Sequence, residues 1–250
     1  FLGDNIIQRE ISEYVSNFEK SNAVASLLLC EVNNHSQFGI AEIKNSKIIK
    51  ITEKPKNPQT NLAVTGIYFL TPYIFEIIKK LKPSWRNELE IADALQMLVE
   101  EEKEIIYGMI TDFWKDTGTP NDIIEANRII LENMTGSFQG KKEEKVILEG
   151  KVMVGEGTII KNGVKIIGPT IIGKNCVIEN GTVIGENTSI GDNSHLSYCT
   201  ISNSIIMSNC IIEGKLDIKN SIIASNSKII KEQNENSKKF LLGEGTQISL

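Results

Sequence analysis

The second half of this 250-residue chain repeats every six residues. Aliphatic side chains recur at Val154, Ile160, Ile166, Ile172, Ile178, Ile184, Ile190 and Leu196. The fourth residue after each is small: Thr158, Val164, Thr170, Cys176, Thr182, Thr188, Ser194 and Thr200. Glycine often follows the aliphatic residue directly, at Gly155, Gly173, Gly185 and Gly191. A six-residue period matches neither the helical nor the simple strand repeat. It fits a prism of short parallel strands, with one inward aliphatic residue per face, a tight corner between faces and three faces to a coil. After a slip of four residues the register is expected to resume at Ile206, Ile212, Ile218, Ala224 and Ile230. A narrow prism leaves little room for rings, and from residue 146 onward only Tyr198 and Phe240 are aromatic. Isoleucine, 41 of the 250 residues, favours strand throughout.

Residues 1–134 follow another rule. β-prone runs at 24–31, 63–70 and 105–110 alternate with helical patterns, and 38–43 and 47–51 can form a hairpin about Asn45-Ser46. Thr71-Pro72 and Thr119-Pro120 each pair a capping residue with proline at a helix start. Helices are therefore expected from there to about residues 80 and 133, and apolar spacing from Leu89 to Val99 predicts another over 88–103. Such alternation argues for an α/β layer fold. The polar, charged stretch 135–145 reads as a linker, dividing the chain into 1–134, a linker and a repeat domain at 146–250.

Composition excludes several functions. The net charge is −5, and Arg9, Arg86 and Arg128 are the only arginines, so no basic field is available for nucleic acid or an anionic membrane. No apolar run approaches the ~20 residues of a membrane span. Four cysteines without metal-ligand spacing point to a reducing, cytoplasmic home. Phe1-Leu2 running into Gly3-Asp4-Asn5 reads as the end of a buried strand, so an N-terminal portion is expected to precede this chain.

The candidate chemistry lies in the first half. Asp4 and Asp116 each follow an expected strand, where open α/β sheets bind ligands. Each could instead be an ordinary turn carboxylate, Asp4 capping a helix over residues 5–18. Together they could converge on one divalent cation, a hard ion held with phosphates by one or two carboxylates. Glu53-Lys54-Pro55 offers an acceptor for sugar hydroxyls and a point charge for phosphate, or merely solvated turn charges. Phe38-Gly39 and Val64-Thr65-Gly66-Ile67-Tyr68 set glycine in strands, which often marks a close-approaching ligand or backbone.

In order and spacing, Gly-Asp-Asn, Phe-Gly, Glu-Lys-Pro, Val-Thr-Gly-Ile-Tyr, Pro-Ser-Trp-Arg-Asn-Glu-Leu-Glu-Ile and Trp-Lys-Asp-Thr-Gly-Thr-Pro, followed by hexapeptide repeats, resemble one family. It is the sugar-1-phosphate nucleotidylyltransferases, most closely the long-form glucose-1-phosphate thymidylyltransferases. The likeness extends to Phe240-Leu241-Leu242-Gly243-Glu244-Gly245 near the C-terminus, so that end is expected to be native. The resemblance implies a Rossmann-like nucleotidyltransferase domain followed by a left-handed parallel β-helix. It implies transfer of a nucleotidyl group from dTTP (or UTP) to glucose 1-phosphate with Mg²⁺, releasing pyrophosphate, and a homo-oligomer built through the β-helix. It implies that Asp4 and Asp116 bind the metal, that Lys54 contacts the sugar phosphate, and that Glu53 hydrogen-bonds the hexose. Gly39, Val64 and Gly66 would hold the sugar, with Phe38 where the family often has Tyr. The family's Gly-rich, Arg-containing loop has no counterpart here, so this chain alone is expected to be inactive or nearly so.

Two other readings attach to the repeats. The β-helix could be an assembly or regulatory module without chemistry. It could also be an acyltransferase acting on an amino-sugar phosphate, with His195 as the only candidate base in that half.

Overall fold

The computed structural model describes residues 1–8 and 10–231, in two compact units that divide between Gly118 and Thr119. In chain order the first unit runs β1 (Asn5–Ile7), α1 (Ser12–Glu19), β2 (Ala25–Glu31), β3 (Gly39–Lys44), β4 (Lys47–Glu53), β5 (Leu62–Leu70), α2 (Ile74–Ile78), α3 (Ile91–Glu100), β6 (Ile105–Met109) and β7 (Trp114–Asp116). A five-stranded mixed sheet has the order β4-β3-β5-β2-β6. Only β2 and β6 pair in parallel; the other neighbours are antiparallel. The β3–β4 turn uses Asn45 and Ser46, both with positive φ, the conformation a two-residue hairpin requires.

The interior strand β2 reads Ala-Ser-Leu-Leu-Leu-Cys-Glu and is buried from Ala25 to Leu29, because both faces of the sheet are covered. On one face Leu27, Leu29 and Ala41 pack with Ile74 and Ile77 of α2 and with Leu95 and Leu98 of α3. On the other, Leu28 and Ile67 meet Ile110, Tyr14 of α1, Ile7 and Trp114. That second face carries the two-stranded antiparallel ribbon β1–β7.

Several local expectations fail where a tertiary partner outbids a local signal. Residues 5–7 form a strand because β7 pairs with them, and the helix waits until Ser12. Phe1 and Leu2 are exposed and lie outside any strand; Leu2 N–H donates to Gly66 O at 3.0 Å. The Thr71 hydroxyl donates to Val24 O rather than capping a helix, and α2 starts at Ile74. Glu90 is extended at φ −91° and ψ 132°, which delays α3 to Ile91 and leaves Leu89 exposed.

The second unit opens with α4 (Pro120–Glu132), started by a reciprocal Thr119–Asp122 capping box with proline in its first turn. Asn127 ties this helix to the repeats, donating to Asn187 O at 3.0 Å and accepting from the Ser189 hydroxyl at 2.6 Å. By packing, α4 therefore stands with the repeats. The expected linker also contributes structure: Ser137–Phe138 and Lys141–Lys142 pair in parallel with Met153-Val154 and Ile159-Ile160. Its polar residues face outward on the first coil, which periodicity in aliphatic residues cannot detect.

From there the chain is a parallel β-helix. Partners lie one coil apart, as in Val152↔Thr170↔Thr188, Ile159↔Val177↔His195 and Ile147↔Lys165↔Val183, giving three faces. The aliphatic residues from Val154 to Leu196 are buried in a single stacked core. The tight corners, however, are not made by the glycines that follow them. Left-handed φ belongs to the third residue after the aliphatic one, as at Gly157, Gly163, Asn175, Gly181, Asn187 and Asn193. Gly155 and Gly191 serve another need, since a Cβ there would stand 2.7 and 2.6 Å from backbone atoms of the next coil.

The expected four-residue slip is a shortening of the coil. Ile184 pairs with Ile201, and Ile190 with Ile206, where earlier coils pair residues eighteen apart, as in Ile166↔Ile184. Ile201 is therefore an inward residue, fully buried. Ile206 and Ile212 are buried as expected, and Ile218 packs against the same core. The next inward positions are Ile223 and Ile229, partnered with Ile206 and Ile212, while Ala224 and Ile230 are exposed. The Phe240–Gly245 segment lies outside the described residues. Among those described, no helix is long and apolar enough to cross a membrane.

Candidate functional site

The two aspartates are brought together by the β1–β7 ribbon rather than by the main sheet. Asn5 is the register partner of Asp116, and the Thr117 N–H and hydroxyl both donate to Asp4 O, at 2.8 and 2.6 Å. Asp4 and Asp116 thus sit at neighbouring positions of one strand pair.

A chain of contacts leads from this pair to the other candidates. The Asn5 side chain donates to Asp4 Oδ1 at 2.9 Å and accepts from Trp114 Nε1 at 2.7 Å. The Trp114 ring meets Phe38 edge to face, with centroids 5.3 Å apart. Phe38 O accepts from Lys54 N–H at 3.0 Å, and Gly39 is the register partner of Glu53. Lys54 has φ 42°, a left-handed conformation unusual for a long side chain and of the kind that gathers at functional turns. Gly66, at φ 67°, accepts from Leu2 N–H and lies against Asn5, where a Cβ would stand 3.4 Å from Nδ2 and 2.8 Å from Leu2 Cδ1.

Glu53 is the best-defended group of the cluster. Lys54 Nζ and Arg86 Nη1 stand 3.8 and 3.7 Å from its Oε1, and Arg86 also reaches Glu90 at 3.4 Å and Glu88 at 2.9 Å. Burial, seconded by the Glu90 charge, holds the Glu53 carboxyl above the usual range despite both cations. The Tyr68 phenol is pushed up to about 12 by its own burial and by the Glu53 charge. A Cβ on Gly39 would stand 3.2 Å from Glu53 Oε2, so glycine leaves that oxygen accessible beside Val64 and Ala92. The arrangement offers a hydrogen-bond acceptor flanked by two cations, joined through an aromatic pair to two carboxylates.

Arg86, Asn5 and Trp114 were not singled out from sequence. All three stand in the quoted motifs, and Arg86 carried a local signal: a scarce arginine with glutamates two and four residues on. The Asn5–Trp114 bond had none, because nothing in the sequence pairs β1 with β7. As a metal site, Asp4 and Asp116 supply hard oxygen donors. Among the described residues no group of three or more His, Cys, Asp and Glu side chains could hold an ion alone.

His195 lies in the other unit, on an outward face of the β-helix. Its Nε2 is 3.6 Å from Glu179 Oε1 and its Nδ1 3.7 Å from Glu213 Oε1, while Nε2 is buried without a hydrogen-bond partner. Three residues on, Tyr198 turns a corner at φ 58°, where most other corners use Gly or Asn, and its side chain is exposed.

Residues 1–133 match the family described as nucleotidyl transferase, and residues 166–249 match the GMPPB C-terminal domain. A glucose-1-phosphate thymidylyltransferase of Streptomyces antibioticus is 35% identical over 253 residues, covering 100% of this chain and 70% of that protein. The low-salt glycan biosynthesis nucleotidyltransferase Agl11 of Haloferax volcanii is 35% identical, covering 100% of this chain and 71% of its own. The bifunctional protein GlmU of Methanococcus aeolicus is 40% identical over 229 residues, covering 91% of this chain and 50% of that one.

Proposed function

The chain belongs to the nucleotidyl transferase family, and on that premise we propose that it serves the transfer of a nucleotidyl group from dTTP to glucose 1-phosphate, giving dTDP-glucose and pyrophosphate. The observation that carries the reading is the continuity of the site. One ribbon pairs Asp4 with the Asp116 strand, and Asn5, Trp114 and Phe38 connect that pair to Glu53 and Lys54.

The residues present fit a magnesium ion. Asp4 and Asp116 would hold it, with water and phosphate oxygens completing its shell. When bound, such an ion neutralises charge on the α-phosphate during in-line displacement. The remaining tasks fall to the protein. A phosphate monoester dianion is already a nucleophile, so positioning and charge neutralisation matter more than a strong base. Lys54 holds the attacking phosphate. Glu53 accepts from hexose hydroxyls, and the open flank beside Gly39 admits the ring. Asn5 and Trp114 keep the Asp4 carboxylate oriented.

Two measurements test this. Isothermal titration of the chain with glucose 1-phosphate gives saturable binding that weakens in Glu53→Gln. In the complete enzyme, with the Gly-rich loop present, Asp116→Asn lowers kcat for pyrophosphate release by on the order of 10², as loss of a key electrostatic element does. Near-normal kcat at saturating Mg²⁺ removes Asp116 from the metal role.

A second reading has its own observation. His195 lies between two carboxylates with one ring nitrogen lacking a partner, and the strained Tyr198 shares its strand. Functional sites collect such strain, and one relative is described as bifunctional. On this reading the β-helix transfers the acetyl group of acetyl-CoA to the amine of an amino-sugar phosphate: the C–N bond forms as the thioester C–S bond breaks, and His195 takes the amine proton and returns it to the departing CoA thiolate. Acetyl-CoA turnover that vanishes in His195→Ala supports it; no turnover with any amino-sugar phosphate disposes of it.

A further inference from the structure

The loop between α2 and α3 holds a tryptophan out into solvent. Trp85 is 84% exposed, more than any other large hydrophobic side chain among the described residues. Its backbone is nevertheless firmly held. Ser84 N–H donates to Glu88 O at 2.8 Å, and Asn87 N–H to Ser84 O at 2.9 Å. The Ser84 hydroxyl accepts from Arg86 N–H and donates to Glu90 Oε1 at 2.9 Å. Asn87 turns the loop at φ 60°.

The side chains on both sides of Trp85 are anchored in the candidate hexose site. Ser84 reaches Glu90, and Arg86 reaches both Glu90 and Glu53. Trp85 is therefore carried by a loop whose feet, Ser84 and Arg86, stand inside that cluster. An exposed indole on an ordered loop adds nothing to the core, and its apolar faces lie in water. A pyranose ring presents a face of C–H groups beside hydroxyls that seek acceptors such as Glu53. The flat indole complements the first and the carboxylate the second, with little side-chain entropy to lose.

We infer that Trp85 is a hexose-binding wall of the site, stacking on the apolar face of the sugar whose hydroxyls Glu53 accepts. The inference rests on the reading of Glu53 and Lys54 as the sugar-phosphate site. Its role is in affinity for the ring, not in the chemistry of the phosphate.

The test uses the 250-residue chain, with glucose 1-phosphate and inorganic phosphate as probes. Trp85→Ala weakens glucose 1-phosphate binding about fivefold, the order of an aromatic stacking contact, and leaves inorganic phosphate binding unchanged. Trp85→Phe restores most of the affinity, and both variants lose Trp85's share of the sugar-induced change in tryptophan emission, leaving that of Trp114. Both unfold at the wild-type midpoint, since the side chain buries almost nothing. If Trp85→Ala binds glucose 1-phosphate as tightly as wild type while Glu53→Gln does not, this inference falls and the site reading stands. If wild type itself takes up no glucose 1-phosphate, the site reading falls and takes this one with it.

Discussion

Asn5 is the residue on which the site's geometry turns, and its substitution gives a sharp prediction. Asn5 is 8% exposed, accepts from Trp114 Nε1 at 2.7 Å and donates to Asp4 Oδ1 at 2.9 Å. Asn5→Ala leaves the partly buried indole N–H without its acceptor, at about 1–2 kcal/mol. It also removes the bond to Asp4. Asp4 is exposed, so water replaces much of that bond and its loss costs about 0.5–1 kcal/mol. The first unit should lose about 1.5–3 kcal/mol. Asn5→Asp keeps an acceptor for Trp114 and should lose about half as much, from the missing donor and a like charge beside Asp4. Both tryptophans, Trp85 and Trp114, lie in the first unit, so their fluorescence in a urea titration follows that unit alone. A loss below about 0.5 kcal/mol for Asn5→Ala at unchanged m-value would refute the argument that this bond chain fixes the ribbon.

Two further tests probe the charge of the site and the register of the β-helix. The folded-state pKa of Glu53 is raised, so the unfolded chain releases that proton first as pH rises; stability from this group is complete below the ordinary carboxylate range and declines through the raised value. Glu53→Gln lacks this decline, so the stability difference from wild type should shift in favour of the variant between acid and neutral pH in thermal unfolding, and a difference constant with pH overturns the assignment. In the β-helix, Ile201→Ala should cost about 2–5 kcal/mol as a fully buried side chain, whereas Ser202→Ala, one position on and partly exposed, should stay within about 0.5 kcal/mol; equal losses would show the coil register to be wrong.

The β-helix was legible because its period is a local property. Every inward position from Val154 to Leu196 can be counted off without knowing any partner, since each coil repeats the one before. The count failed at Ile201, Ala224 and Ile230, where coils shorten and the inward position shifts by one residue. A period has no means of reporting a deletion made good by the next coil. Nor does the period locate the corners: glycines such as Gly155 and Gly191 make room for a neighbouring coil, while the turn itself is made two residues later.

The amino-acid sequence by itself determined the identity of the candidate groups, the strands β2 to β6 of the main sheet and the start of α4, whose capping box is complete within Thr119–Asp122. The tertiary structure alone decided that residues 5–7 pair with 114–116, that Trp114 holds Asn5, and that Arg86 turns toward Glu53. The physical reason is range. Caps, hairpin turns and repeats are satisfied by residues a few positions apart, and their energies can be read locally. The ribbon and the charge cluster join segments distant in the chain, and only the closing of the sheet's two faces brings those segments within reach of one another.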